Sequence, residues 1–138
     1  MRSFVETHEK SGLVSLFALK RVQEKYKKAI DLELCAFAQE GLTQKPKTRK
    51  LLEKALQNGA SVIGGCPYKD KNPQEYSKQI FDLAEKYDIP VDFYLDFDLN
   101  PKNSSIPILV QETLNRNCEV RVGIGHVTNL SAKQPQSR

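Results

Sequence analysis

Three side chains suited to metal binding or acid–base chemistry lie at the ends of predicted strands. Asp96 and Asp98 close residues 91–98, an alternating apolar and polar stretch (VDFYLDFD), and His126 closes residues 120–126 (VRVGIGH). In a chain of alternating strands and helices, chemistry usually takes place at the carboxyl ends of the strands. Two carboxylates can bind a hard cation, although a solvated strand end explains them more simply. A lone histidine is more often a buried, hydrogen-bonded side chain than a ligand.

Two further features have both a functional and a purely structural interpretation. Gln39 precedes Glu40 and Gly41, so it is either a turn residue or a substrate contact. Gly64 and Gly65 end a short apolar run, where glycines allow close approach of a phosphate or simply of a neighbouring loop. The sequence does not decide between these alternatives.

The elements that position these residues alternate regularly along the chain. Apolar residues recur with helical spacing in four segments and with strand spacing between them. Pro46 and the pair Asn72–Pro73 mark two helix starts, and Asn58–Gly59 marks a helix end. The predicted strands are residues 2–7, 31–37, 61–65, 91–98 and 120–126, and the predicted helices are residues 9–28, 46–57, 73–87 and 104–115.

This alternation predicts an α/β fold with parallel strands and right-handed helical crossovers. A small open sheet and part of a (β/α)8 barrel both fit the pattern. A full barrel needs at least ~200 residues, so the chain would supply about half of one, with the helices on the convex side. Residues 1–132 would form this incomplete domain, and residues 133–138 a polar tail.

An open barrel segment has consequences for assembly. We expect Phe37, Val62 and Leu95 to face the interior without an opposite wall. In the last helix, Ile106, Val110 and Leu114 share one side. Because both sheet edges would carry unpaired backbone groups, the sequence predicts self-association or marginal stability.

Composition excludes several classes of protein. The chain has 138 residues and a net charge of +4, and its lysine clusters resemble solvated helix faces, which argues against nucleic-acid binding. No apolar run approaches the roughly 20 residues that span a bilayer. The three cysteines are odd in number and far apart, which favours a reducing cytoplasm over a disulfide framework.

Several segments together resemble metal-dependent amidohydrolases of the cytosine-deaminase type. NGASVIGGCP (58–67) resembles the family's xGADVVGGIP, and IPVDFYLDFD (89–98) resembles its xxIDLHxDEx. The other similar segments are MRSFVET (1–7), DLELCAFAQEG (31–41) and VGIGHVTNLSA (122–132). The resemblance covers nearly the whole chain, and it implies roughly the second to sixth strands of the family's barrel.

The resemblance also implies a definite site chemistry. In intact relatives one divalent metal, iron or zinc, is held by a His-x-His pair on the first strand, a histidine on the fifth and an aspartate on the eighth. That metal converts water to hydroxide near neutral pH. A glutamate three residues after the fifth-strand histidine transfers protons, a glutamine binds the ring, and a sixth-strand histidine positions the hydroxide.

Few of these residues are retained when the family pattern is carried onto this chain. Gln39 matches the substrate glutamine, and His126 matches the sixth-strand histidine. Tyr94 replaces the metal-binding histidine, and Phe97 replaces the glutamate. Asp96 matches an aspartate that is not itself a metal ligand. A tyrosine phenol has a pKa of about 10 and must lose its proton before it ligates a metal well. A phenylalanine side chain cannot transfer a proton.

The sequence therefore predicts a truncated, degenerate relative of enzymes that deaminate a cytosine-like heterocycle by C–N bond hydrolysis. We expect the isolated chain to be inactive and to hold no metal cofactor. It would contact a small heterocyclic substrate only if missing strands completed the site. The alternatives are a non-catalytic binding or scaffold half-barrel, and one piece of a split or decaying gene.

Overall fold

The fold is a single parallel sheet whose helices connect each strand to the next. The computed structural model describes residues 1–100 and 102–132. Pro101 and the predicted tail, residues 133–138, lie outside the described residues. The strands are β1 (Arg2–Glu6), β2 (Glu33–Ala38), β3 (Val62–Gly65), β4 (Val91–Leu95) and β5 (Val122–His126), and the helices are α1 (Val14–Tyr26), α2 (Pro46–Gln57), α3 (Pro73–Tyr87) and α4 (Ile106–Arg116).

The five strands lie side by side in the order in which they occur in the chain, and each neighbouring pair is parallel. The register places Leu95 beside His126 and Glu6 beside Phe37. The carboxyl ends of the strands therefore meet along one edge of the sheet. The predicted alternation and parallel order are confirmed. Among the described residues, every helix is too short or too polar to cross a lipid bilayer.

The best-predicted helices begin at their sequence signals. Pro46 is the first residue of α2, and Asn72 caps α3 by accepting a hydrogen bond from the Glu75 amide at 3.1 Å. α3 ends where Asp88 adopts a left-handed conformation, with φ of 52°. At these positions a proline removes a backbone N–H that would be free, and the asparagine cap and the left-handed C-cap satisfy free backbone groups.

Most element boundaries shift by a few residues from the prediction, and the two largest shifts have a local cause. α1 begins at Val14 rather than at residue 9, because Gly12 has φ of +55° and interrupts the helical backbone. β4 ends at Leu95 rather than at residue 98, because Asp96 has φ of 48° and turns the chain out of the sheet.

The helix-facing side of the sheet forms the main core. It is built from alternate strand residues, such as Leu34 and Ala36, packed against buried helix residues such as Leu52 and Ile80. Leu95 belongs to this helix-facing core. The prediction that it faces the concave interior of the barrel segment was therefore wrong. Strand alternation places Leu95 and Phe93 on one side and Asp92 and Tyr94 on the other.

The opposite, concave side carries a second cluster that includes Phe37 and Val62, as predicted. Side chains from other strands lie against this cluster, so the prediction that it faces no opposite wall was wrong. Phe4 of β1 contacts Tyr94 of β4 with ring centroids 4.5 Å apart, and Phe37 of β2 lies 5.0 Å from Tyr94. Arg2 of β1 also pairs with Asp92 of β4 at 2.5 Å. The sheet is curved enough for its own side chains to fill its concave face.

The apolar side of the last helix is largely exposed. Ile106, Val110 and Leu114 do share one side of α4, but Val110 is 50% exposed and Leu114 is 54% exposed. The residue of α4 that is buried in the core is Leu109. The apolar side predicted from the sequence is therefore largely uncovered, and it lies at the β5 end of the sheet.

Candidate functional site

Asp96 is a buried structural residue rather than a solvated strand end or an open cation ligand. Its carboxylate accepts hydrogen bonds from the Ser105 amide and the Ser104 hydroxyl, both at 2.8 Å. Its backbone carbonyl accepts from the Thr128 hydroxyl at 3.0 Å. Asp96 therefore fixes the start of α4 and joins the loops that follow β4 and β5.

The Asp98 carboxylate lies outside this arrangement, in an exposed loop, although the Asp98 carbonyl also accepts from the Thr128 hydroxyl at 3.3 Å. This carboxylate accepts the Asn100 amide at 2.9 Å, which forms a local side-chain turn. Within residues 1–100 and 102–132, no three His, Cys, Asp or Glu side chains are placed to hold a metal ion together. The hypothesis of a hard-cation site at Asp96 and Asp98 therefore lacks a third ligand.

His126 lies at the mouth of the concave face, against two aromatic rings. Its imidazole packs edge-on to Tyr94 with centroids 4.3 Å apart and to Phe97 with centroids 5.4 Å apart. The side chain is exposed, so the interpretation of His126 as a buried histidine is not met. His126 and Val127 both have positive φ, 64° and 51°, an unusual conformation for a β-branched residue. The chain turns sharply here, and the Val127 amide donates to the Leu95 carbonyl at 2.9 Å.

The resemblance assigns Tyr94 to the position of a metal-binding histidine, but the surroundings of Tyr94 do not fit a metal ligand. Its ring contacts Phe4, Phe37 and His126. Burial, together with the nearby Asp92 carboxylate, raises the pKa of the phenol. The phenolate that a metal would need is therefore disfavoured, and the residues present do not fit the family's iron or zinc. That the chain holds no metal stays a prediction.

The remaining family positions are not assembled around His126. Phe97 is 61% exposed and its ring packs edge-on against the His126 ring. Gln39 is exposed in the turn after β2, and the described hydrogen bonds and ring contacts do not join it to Tyr94 or His126. The structure brings together Tyr94, Phe97 and His126, and it places Gln39 in the exposed turn after β2.

The glycine pair serves close packing. A Cβ at Gly64 would collide with the Asp92 carbonyl of β4, and one at Gly65 would collide with the Tyr76 hydroxyl. Tyr76 is fully buried, and its hydroxyl donates to the Ala38 carbonyl and accepts the Cys66 amide at 2.9 Å. These contacts join the ends of β2 and β3, which supports the packing interpretation over a phosphate site.

Asp70 is a key residue of the strand-end loops that sequence reasoning missed. Its carboxylate accepts the Leu42 and Thr43 amides at 2.7 and 2.9 Å, the Thr43 hydroxyl, and the Asn72 amide at 2.9 Å. Burial alone would raise the pKa of Asp70, but these hydrogen bonds outweigh it and the pKa lies below its ordinary value. The signal in the sequence is Asp70 two residues before Asn72, the spacing of an aspartate turn.

A groove opens beside these loops, outside the filled concave face. It has a volume of about 470 Å³ and runs between Tyr68 and Phe97, with Lys102 and Ser104 on its wall. Burial raises the pKa of Tyr68 to about 12, so its phenol stays protonated at neutral pH. The groove offers a shallow surface with aromatic and polar groups, and the Asp98 carboxylate is among its lining residues.

Comparison with known proteins relates the chain to amidohydrolases. No protein-family model matches it. It is 28% identical over 127 residues to the N-isopropylammelide isopropyl amidohydrolase of Pseudomonas sp. (strain ADP), covering 91% of this chain and 32% of that protein.

Solved structures give the same result. The 5-methylcytosine deaminase of Klebsiella pneumoniae, liganded with phosphonocytosine, is 28% identical with a TM-score of 0.90, over 99% of this chain and 34% of that one. The N-isopropylammelide isopropylaminohydrolase of Burkholderia multivorans ATCC 17616 is 26% identical with a TM-score of 0.90, over 99% and 36%. The predicted resemblance is confirmed: the chain is a relative of amidohydrolases, and its fold is a segment of their (β/α) barrel. It spans about a third of the length of these relatives.

Proposed function

We propose that this chain is a non-catalytic relative of the cytosine-deaminase-type amidohydrolases, which keeps a barrel segment as a scaffold or binding module. The packing of Tyr94 carries this proposal. Where the family motif has a metal-binding histidine, a protonated phenol is held among Phe4, Phe37 and His126. Phe97, at the position of the proton-transferring glutamate, has no group that exchanges protons.

Loss of the metal-binding histidine and loss of the glutamate affect different steps of the reaction. Without a metal the site lacks the activated hydroxide that attacks the ring. Without the glutamate, proton transfer to the leaving amine would slow by on the order of 10²–10⁴-fold. The rings of Phe4 and Phe37 also occupy space beside Tyr94 on the concave face. A small heterocycle would be bound, with Gln39 and His126 as its contacts, only if further strands completed the mouth.

The direct test is ammonia release from cytosine by the purified chain, with ferrous iron or zinc added, compared with a metal-only blank. We expect no turnover above the blank, and no iron or zinc at stoichiometric level by elemental analysis. The double variant Tyr94→His/Phe97→Glu should also be inactive on its own. Turnover that survives repurification and disappears in His126→Ala would contradict the proposal.

A second candidate is that the chain is one component of a divided enzyme. Nearly all of it superposes on structures about three times its length, which favours this alternative. The test is co-expression of the double variant with a polypeptide carrying the remaining strands of a relative's barrel. Metal-dependent ammonia release from the mixture, absent from either part alone, would support a divided enzyme over a scaffold.

The odd number and wide spacing of the cysteines favour a reducing compartment such as the cytoplasm. Cys35, Cys66 and Cys118 are free. Burial is the main reason that the pKa of each thiol is raised. A raised pKa suppresses the thiolate that forms disulfides. Thiol alkylation of the protein in cell extracts, before and after reduction, would test this placement.

A further inference from the structure

The end of α2 carries the one asparagine of the sequence that is followed by glycine, Asn58–Gly59. An asparagine side-chain amide is open to attack by the backbone nitrogen of the next residue, and asparagine is among the thermolabile residues. Glycine hinders this attack least, because it has no Cβ. Asn58 follows the last helical residue, with φ of −100° and ψ of 17°, and Gly59 is exposed. The two reacting residues therefore lie at a helix end that water can reach.

A cation from α1 contacts the peptide group that joins these two residues. The Lys20 ammonium donates to the Asn58 backbone carbonyl at 2.6 Å, and its Nζ lies 3.1 Å from the position that a Cβ on Gly59 would take. A charged donor forms a strong hydrogen bond and polarises the group that it contacts. Because the Asn58 carbonyl and the Gly59 N–H belong to one peptide group, electron density is drawn away from the Gly59 nitrogen. That nitrogen then loses its proton more easily, and the deprotonated nitrogen is the nucleophile.

Two hydrogen bonds at the end of α2 oppose the reaction. Asn58 Nδ2 donates to the Lys54 carbonyl at 2.8 Å, and the Gly59 amide donates to the Leu56 carbonyl at 3.0 Å. Both acceptors belong to the last turn of the helix, and helix ends fray without global unfolding. The chain is anchored just beyond this turn, where the Ser61 amide donates to β2 at 2.9 Å. Fraying therefore frees the reacting groups while the segment stays beside α1.

We propose that Asn58 is a site of spontaneous deamidation in the folded protein and that Lys20 accelerates the reaction. The Gly59 nitrogen gives its proton to hydroxide and attacks Asn58 Cγ. The new bond joins that nitrogen to Cγ, the Cγ–Nδ2 bond breaks, and Nδ2 leaves as ammonia with a proton taken from water. Water then opens the cyclic imide at either carbonyl, which gives aspartate or isoaspartate. The net reaction consumes one water and releases one ammonia, and it regenerates the hydroxide.

The product alters the contact between α1 and α2. A carboxylate at position 58 cannot donate to the Lys54 carbonyl, and it places negative charge at the negative end of the α2 dipole. The Lys20 ammonium can pair with this carboxylate, which limits the loss. Asn58→Asp reproduces one of the two products in stable form. We expect it to melt a few degrees below wild type.

Peptide mapping by mass spectrometry of protein kept for days at mildly alkaline pH tests the proposal. We expect the amide-to-acid mass increase to appear first at Asn58 and to form faster as hydroxide concentration rises. Lys20→Met should slow the reaction severalfold in the folded protein, and Lys20→Arg should restore it because the charge returns. In urea, where α1 no longer lies against α2, all three proteins should react at one rate. A purely structural role of Lys20 would not produce this dependence on charge.

Asn103, which is exposed and followed by Ser104, is the internal reference. It should react more slowly than Asn58, at a rate that Lys20→Met leaves unchanged. If Lys20→Met instead loosens the end of α2, thermal melts will show it, and loosening speeds the reaction rather than slowing it. An unmodified Asn58 in protein whose Asn103 has reacted would overturn the proposal, as would a folded Lys20→Met protein that reacts as fast as wild type. The ammonia released is limited to one per chain and needs no heterocycle, so the result is independent of any enzymatic activity.

Discussion

At the residue scale, Tyr94 shows how one side chain changes the use of a whole surface. Its ring fills the space between β1 and β2 on the concave face and supports the His126 imidazole. A histidine there would be smaller and would add two polar nitrogens to a face lined by Phe4, Phe37 and Val62. The position thus serves stability in this chain, where the family pattern uses it for a ligand.

Substitutions at Tyr94 separate these two roles. We expect Tyr94→Phe to change the free energy of unfolding by less than about 1 kcal/mol, because the ring contacts remain. Tyr94→His should destabilise by about 1–3 kcal/mol, because it leaves a cavity and a half-buried polar group. Denaturant unfolding measures both. The exposed control Phe97→Glu should be nearly neutral, and a Tyr94→His protein as stable as Tyr94→Phe would contradict this role.

At the element scale, two buried aspartates hold the strand-end loops in place. Asp70 joins the loop after β3 to the loop after β2, and Asp96 joins the loops after β4 and β5. Both carboxylates accept backbone amide hydrogen bonds, which is how an irregular loop satisfies donors that a strand or helix would pair internally. These loop contacts order the mouth of the segment.

The depressed pKa of Asp70 makes part of the stability depend on pH. A carboxylate whose folded pKa lies below its unfolded value of about 3.9 stabilises the fold above that value. The contribution is lost as pH falls through the folded pKa. Asp70→Asn should lower stability by about 1–3 kcal/mol at neutral pH.

Thermal melts of wild type and Asp70→Asn from neutral pH to below pH ~3 check this prediction. The difference in melting temperature should shrink toward the acid end, because the wild-type carboxylate becomes protonated there. A difference that stayed constant over the whole range would show that the side chain acts through its shape rather than its charge.

Pattern and local chemistry predicted the order of the elements but not their tertiary surroundings. Pro46 and Asn72 marked helix starts correctly, because capping depends on neighbouring backbone alone. Period-two alternation showed that Phe93 and Leu95 share a face, but it carries no information on which face is inside. The stripe of Ile106, Val110 and Leu114 was likewise correct as a stripe, whereas its exposure depends on what packs beside α4. The burial of Asp96 depends on partners as distant in sequence as Thr128.

At the scale of the whole molecule, the first strand closes the concave face. Arg2 reaches across from β1 to Asp92 of β4, and Phe4 makes the same crossing to Tyr94. These contacts join residues about ninety positions apart. A segment of a barrel thereby obtains a packed interior from its own strands, which explains how a five-stranded sheet can bury Cys35, Phe37 and Val62.

Removing the ion pair between Arg2 and Asp92 should lower the free energy of unfolding of the whole domain. Arg2→Ala leaves the Asp92 carboxylate, which is 13% exposed, without its cation. We expect a loss of about 1–3 kcal/mol in the free energy of unfolding. Arg121→Ala breaks a pair with the 91% exposed Asp88 and should change stability by less than about 1 kcal/mol. Equal effects of the two substitutions in thermal or denaturant unfolding would argue against closure by Arg2.

The aromatic packing around Tyr94 also limits how the sequence of this segment can evolve. On the proposed non-catalytic function, regaining metal chemistry would require histidine at position 94 and glutamate at position 97, together with ligands supplied by other strands. The first of these changes opens the interior while catalysis is still absent, so its carrier folds less well and gains no activity. Selection for a folded protein opposes that intermediate. Because of this interior packing, metal chemistry is more easily lost than regained in evolution.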